Sequence, residues 1–226
     1  MSLYLHFHWI YFCVAFGATL LISLLMSLQS ANFYTLYVVI RKFSIIDLEF
    51  PVSALELATY IKGIFALPAE FSAKTLRALK GQLYLDFLFM PAAYGSIFIL
   101  CMKVSMKLTS FGHWVFAVLA WLQLIAWVCD IIENIYLLNK IHPEPVVSNT
   151  AVHKAYEMLE KCKWGIALTA TICSIAAIFY FWLVGLYSFQ SLNYFLIVVA
   201  EIIIFLGLKK ITAKNEREKL EKFQQT

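Results

Sequence analysis

Four carboxylates, Asp86, Asp130, Glu133 and Glu201, fall within stretches otherwise built from Leu, Ile, Phe, Val and Ala. A carboxylate inside a bilayer costs about 2.5–3.5 kcal/mol on insertion scales, so such residues face the bundle interior, find partners and mark function. Helical spacing groups them. Residues 130, 133, 134 and 137 fall on one face, so Asp130, Glu133 and Asn134 present two carboxylates and an amide together. In the same way Asp86, Met90 and Tyr94 share a face. Pro91 removes a backbone donor beside them, which predicts a kink that frees carbonyls near Asp86.

Three chemistries suit such a set. Carboxylates with an amide and freed carbonyls make an oxygen-only site for H⁺, Na⁺, Ca²⁺ or Mg²⁺ rather than zinc or copper. Two desolvated carboxyls side by side raise one pKa and serve as a general acid/base pair for lipid chemistry. The third reading is architectural: the acids stay neutral, or bond to Asn134, Tyr84, Tyr94 or a lysine, and lock helices together. The leading expectation is binding or translocation of a proton or hard cation, with a small solute as a coupled cargo. The alternatives are a membrane-embedded enzyme acting on a lipid or isoprenoid at the inner leaflet, and an assembly protein whose acids are only structural. The residues expected to bind the ion or proton are Asp86, Asp130, Glu133, Asn134 and Glu201, with Tyr84, Pro91 and Tyr94 in support.

Other chemistry finds no footing. The sequence carries no G-x-S-x-G, H-E-x-x-H, P-loop or dinucleotide fingerprint. Its five cysteines form no CxxC pair, and its five histidines have no ligand-like spacing. No cofactor is specified. The net charge of +4 reflects Lys and Arg flanking apolar runs, not a nucleic-acid surface.

The elements that must hold these acids follow from composition. Of 226 residues 62% are hydrophobic and 14% charged, with a mean hydropathy of +0.77. That is too little charge to cover a soluble surface. Side-chain charge is absent before Arg41 and across 87–102, 108–129 and 164–200. Since about 20 apolar residues cross a bilayer, the expectation is an all-α, polytopic bundle forming a single integral membrane domain over 1–226. Its five spans are placed at about 8–28, 83–102, 114–138, 165–186 and 193–208. The intervening 29–82 is expected to hold interfacial amphipathic helices, with an extra crossing as the weak point. One such helix is placed at 52–66, burying Val52, Leu55, Tyr60, Ile61 and Ile64. A second is capped by Ser72 and exposes Lys74, Arg77 and Lys80 to anionic headgroups. The Pro-Glu-Pro run at 143–145 stops the third span, and Asn149 or Thr150 caps a fourth helix projecting well beyond the membrane.

With five spans, sixteen of the eighteen Lys and Arg fall on one side, leaving Lys103 and Lys107 on the other. The positive-inside rule then places the C-terminus and the acidic level in the cytoplasm and the N-terminus outside. The expected partners are the lipid bilayer and its anionic cytoplasmic headgroups; a homo-oligomer is compatible with the sequence.

Overall fold

The computed structural model describes residues 8–36 and 41–224, with side chains described through 212 except that of Arg41. The chain is 82% helical, and among the described residues five helices are long and apolar enough to cross a membrane, as a multi-pass membrane protein requires. In chain order the elements are α1 (Trp9–Ser30), then β1 (Tyr34–Thr35), β2 (Arg41–Lys42), α2 (Ile45–Glu49) and α3 (Ala54–Phe65), followed by α4 (Ala69–Ser105), α5 (Ser110–Lys140), α6 (Thr150–Leu183) and α7 (Ser191–Gln224). The crossing helices are α1, α4, α5, α6 and α7, the last through Thr212.

Local chemistry sets most of the ends. Asn149 accepts from the Val152 N–H at 2.8 Å and so caps α6, while α5 stops at Lys140, just before the Pro-Glu-Pro run. α6 closes on Gly185 at φ +74, which lets Leu186 N–H reach the Phe181 carbonyl and Gly185 N–H reach Trp182. Only glycine adopts that left-handed position without strain.

The long helices exceed what the bilayer needs. At 1.5 Å per residue α4 runs about 55 Å, α6 about 51 Å and α5 about 46 Å, against a hydrocarbon core of about 30 Å. The surplus gathers at one end, where α1 finishes and α4 begins; Thr75 Oγ1 donates to the Asn32 carbonyl there at 2.8 Å. At that end β1 and β2 pair antiparallel, Tyr34 opposite Lys42. Together with α2 and α3 they form a cap over a core of Phe33, Phe43, Leu48, Leu57, Ile61 and Ile64, packed on Leu79 and Leu83 of α4, Leu137 of α5 and Tyr156 of α6.

Several expectations change here. Among the described residues, 31–68 contains no helix fit to cross, and the segment packs on protein rather than lying alone in the interface. Of the residues expected on the buried side, Tyr60, Ile61 and Ile64 of α3 are buried, but Leu55 of α3 and Val52 before it are exposed and Leu57 takes their place. Ser72 is no cap: nothing in 69–83 breaks the helix, so α4 begins at Ala69 and runs unbroken past Pro91. Lys74, Arg77 and Lys80 line its exposed face. The start of α6 does not project freely, because Tyr156, Glu160 and Lys163 are buried.

Candidate functional site

Where the cap meets the spans, α4, α5, α6 and α2 deliver five carboxyls and one ammonium to a packed interior. α5 supplies Asp130, Glu133 and Asn134, all at most 6% exposed, on the shared face that their spacing predicts. α6 supplies Glu160 and Lys163, one turn apart and buried. The Lys163 ammonium contacts Glu133, lies 3.1 Å from Asp130 Oδ1 and 3.1 Å from Glu160 Oε2. α4 contributes from the other side. Tyr94 Oη donates to Asp130 Oδ2 at 2.9 Å, and Asn134 Nδ2 donates to Asp86 Oδ2 at 2.7 Å. Met90, Tyr94 and Ala126, with Phe87, Trp127 and Ile166 against them, form an apolar cluster that adjoins Asp130 through Tyr94.

The fifth carboxyl, Glu49, comes from the cap. α2 is a single short turn whose start is fixed by Ser44 N–H donating to Asp47 Oδ2 at 2.7 Å. Pro51 disfavours helical backbone at Phe50 and stops it. Buried Tyr156 then ties it down, its hydroxyl donating to the Leu48 carbonyl at 3.0 Å. This brings carboxylate oxygens of Glu49, Glu133 and Glu160 within 4.8 Å of one another. Opposed ligands of a Ca²⁺ ion at 2.3–2.6 Å stand about 4.6–5.2 Å apart, so this trio has the dimensions of a hard-cation site. Burial pushes the Glu49 carboxyl up to about 7; Lys163 pulls it back, Glu160 and Asp130 add to the rise, and a Trp164 hydrogen bond also lowers it.

Ionised throughout, the five carboxyls and one ammonium would carry a formal charge of −4. Removing charges from water costs several kcal/mol per ion unless partners repay it. Lys163 can balance one of the five. Neither oxygen of fully buried Glu160 has a hydrogen bond of good geometry. The arrangement therefore calls for protons on most of these groups, or for a cation among them.

The structure brings together Asp86, Asp130, Glu133, Asn134 and Tyr94. It does not bring in Glu201. That residue, on α7, stands against Gly17 of α1, where an added Cβ would lie 2.8 Å from its Oε1, and its Oε2 is buried without a hydrogen bond. The site is thus shared by the second, third and fourth spans and α2, not by the fifth span. Tyr84 points outward and is 61% exposed. Pro91 is exposed and lines a shallow groove against α1, on a different face of α4 from Asp86.

The chain matches no protein-family model, no curated protein and no solved structure. The site accordingly rests on its own geometry. Glu49, Glu160 and Lys163 escape a reading by depth, because they lie in segments assigned outside the membrane, where charge is ordinary. A signal for two of them is present: Tyr156, Glu160, Lys163, Ala170 and Ser174 fall on one helical face, and all five are buried.

Proposed function

We propose that this membrane protein binds, and exchanges across part of the bilayer, a proton or a hard cation at its buried acidic centre. The observation that carries this is the imbalance itself, five carboxyls around one ammonium among the described residues of a packed interior. Lys163 sits among Glu133, Glu160 and Asp130 as a tethered cation, and protons complete the neutralisation. Asp130, Glu133 and Glu160 gather around that ammonium as the ion-binding groups, Tyr94 and Asn134 orient Asp130 and Asp86, and Glu49 closes the centre from the cap. The Glu49, Glu133 and Glu160 oxygens support the hard-cation variant, in which Ca²⁺ or Mg²⁺ would displace the Lys163 ammonium from between them. The apolar packing around Asp130 favours ion chemistry there over an acyl-chain substrate. By the positive-inside count the centre faces the cytoplasm, with Lys74, Arg77 and Lys80 meeting anionic headgroups on that side.

Proteoliposomes test this. With a pH-sensitive or Ca²⁺-sensitive dye trapped inside, the wild-type chain should give pH- or cation-dependent flux. Asp86→Asn and Asp130→Asn should abolish it while leaving the fold intact. A wild-type chain without flux, or Asn variants that lose thermal stability and nothing else, would leave the acids as structural groups.

A further inference from the structure

The end of the bundle opposite the acidic centre holds a groove that the ion chemistry does not use. It lies between α1 and α7 on one side and α4 and α6 on the other, with a volume of about 480 Å³. Its walls include Phe16, Ala93, Ile97, Ile175 and Val198, and Trp9 stands at its end. Ligand sites commonly span about 300–1,000 Å³. Water would find few hydrogen-bond partners on such walls. Ile175, Phe179 and Phe195 remain substantially exposed along it, so its open side faces the hydrocarbon.

The mouth of the groove carries charge of one sign. Lys103 holds its ammonium 5.1 Å above the Trp9 ring, and Lys107 holds its own 5.1 Å from the Tyr187 ring. Trp9 and Tyr187 meet edge to face at 5.6 Å, which joins the two ammoniums into one rim. Lys107 Nζ also donates to the Leu186 carbonyl at 3.0 Å. No Asp or Glu occurs from 87 to 129 or from 161 to 200, so the sequence near this rim offers no countercharge. Two ammoniums held over aromatic rings at headgroup level, above an apolar groove, are complementary to a phosphate with a chain beneath it.

We infer that the groove holds an acyl chain of an anionic phospholipid from that leaflet, its phosphate bound between Lys103 and Lys107. The site is independent of the acidic centre.

The test uses the full-length chain in detergent, offered equal amounts of phosphatidylglycerol and phosphatidylcholine with identical acyl chains, and read by native mass spectrometry. Wild-type protein should retain phosphatidylglycerol at least about threefold over phosphatidylcholine, since two ammoniums favour the lipid with a net negative headgroup. Lys103→Ala with Lys107→Ala should bring that ratio to about one, whereas Lys154→Ala with Lys161→Ala, on the exposed start of α6, should leave it. Ala93→Phe should reduce total bound lipid, with Val198→Phe from the opposite wall serving if the first variant does not fold. As a second readout, phosphatidylglycerol brominated along its chain should quench Trp9 and Trp182, which border the groove, more than brominated phosphatidylcholine does. Equal retention of the two lipids by wild-type protein would overturn the inference. So would a preference that survives loss of Lys103 and Lys107.

Discussion

Glu49→Gln should make the protein more stable at pH 8 and flatten its stability between pH 4.5 and 7. The carboxyl stands at about 7 in the folded chain against 4.5 for the unperturbed group, chiefly because burial disfavours its charged form. Between those values the folded chain holds a proton that the unfolded chain has released. Stability therefore falls as pH rises through that window, by the linkage between bound protons and folding. Below about pH 4.5 the contribution is complete; above about 7 it is gone. A shift of about 2.5 pH units corresponds to roughly 3 kcal/mol at 1.36 kcal/mol per unit. Glutamine keeps a neutral side chain of the same length at every pH, so the variant should match wild type near pH 4.5 and exceed it by up to about 3 kcal/mol at pH 8. For a chain of this size that is roughly 6–12 °C in melting temperature. Tryptophan fluorescence melts in detergent at half-unit pH steps would measure it. A variant that tracks wild type throughout, or melts lower at pH 8, would mean that Glu49 is ionised in the fold and paired with Lys163, and the reasoning from burial would fail.

Lys163→Met should destabilise by about 3–5 kcal/mol, because it strips the ammonium that contacts Asp130, Glu133 and Glu160; adding Glu133→Gln should restore part of the loss, as thermal melts would show. Tyr94→Phe should cost about 1–3 kcal/mol by leaving Asp130 Oδ2 without its donor, and proteoliposome flux should change with it if Asp130 lies on the ion's path. Gly17→Ala should cost less than about 1 kcal/mol, since the atom it meets is the far end of the Glu201 side chain. Gly17→Leu should separate α1 from α7, which a cross-linking rate between cysteines placed at 14 and 197 would report.

The bilayer made much of this fold legible. Uncharged runs between Lys and Arg flanks mark the five crossings, since hydrocarbon tolerates little else over 30 Å. Helical spacing also groups Asp130, Glu133 and Asn134 without reference to tertiary structure. The limits of that reading lie in what depth and spacing leave out. Glu201 sits at a plausible depth, but depth fixes no direction around the bundle axis, and α7 lies on the periphery against α1. Tyr84 fails for the same reason on α4. Glu49 depends on a chain reversal through α2 and α3, and on the Tyr156 hydroxyl reaching the Leu48 carbonyl more than a hundred residues away in sequence. No local pattern encodes that contact.

Lys163 also sets an order on how the molecule is made. The ribosome delivers Glu49, Asp86, Asp130 and Glu133 before the residue that answers them, so α4 and α5 leave the exit tunnel carrying acids with no countercharge. They can settle as neutral groups, or α5 can wait at the insertion machinery until α6 arrives and enter with it as a hairpin. A chain stopped short of residue 163 would hold the acids and lack their cation, and quality-control proteases would find it as an incompletely inserted fragment.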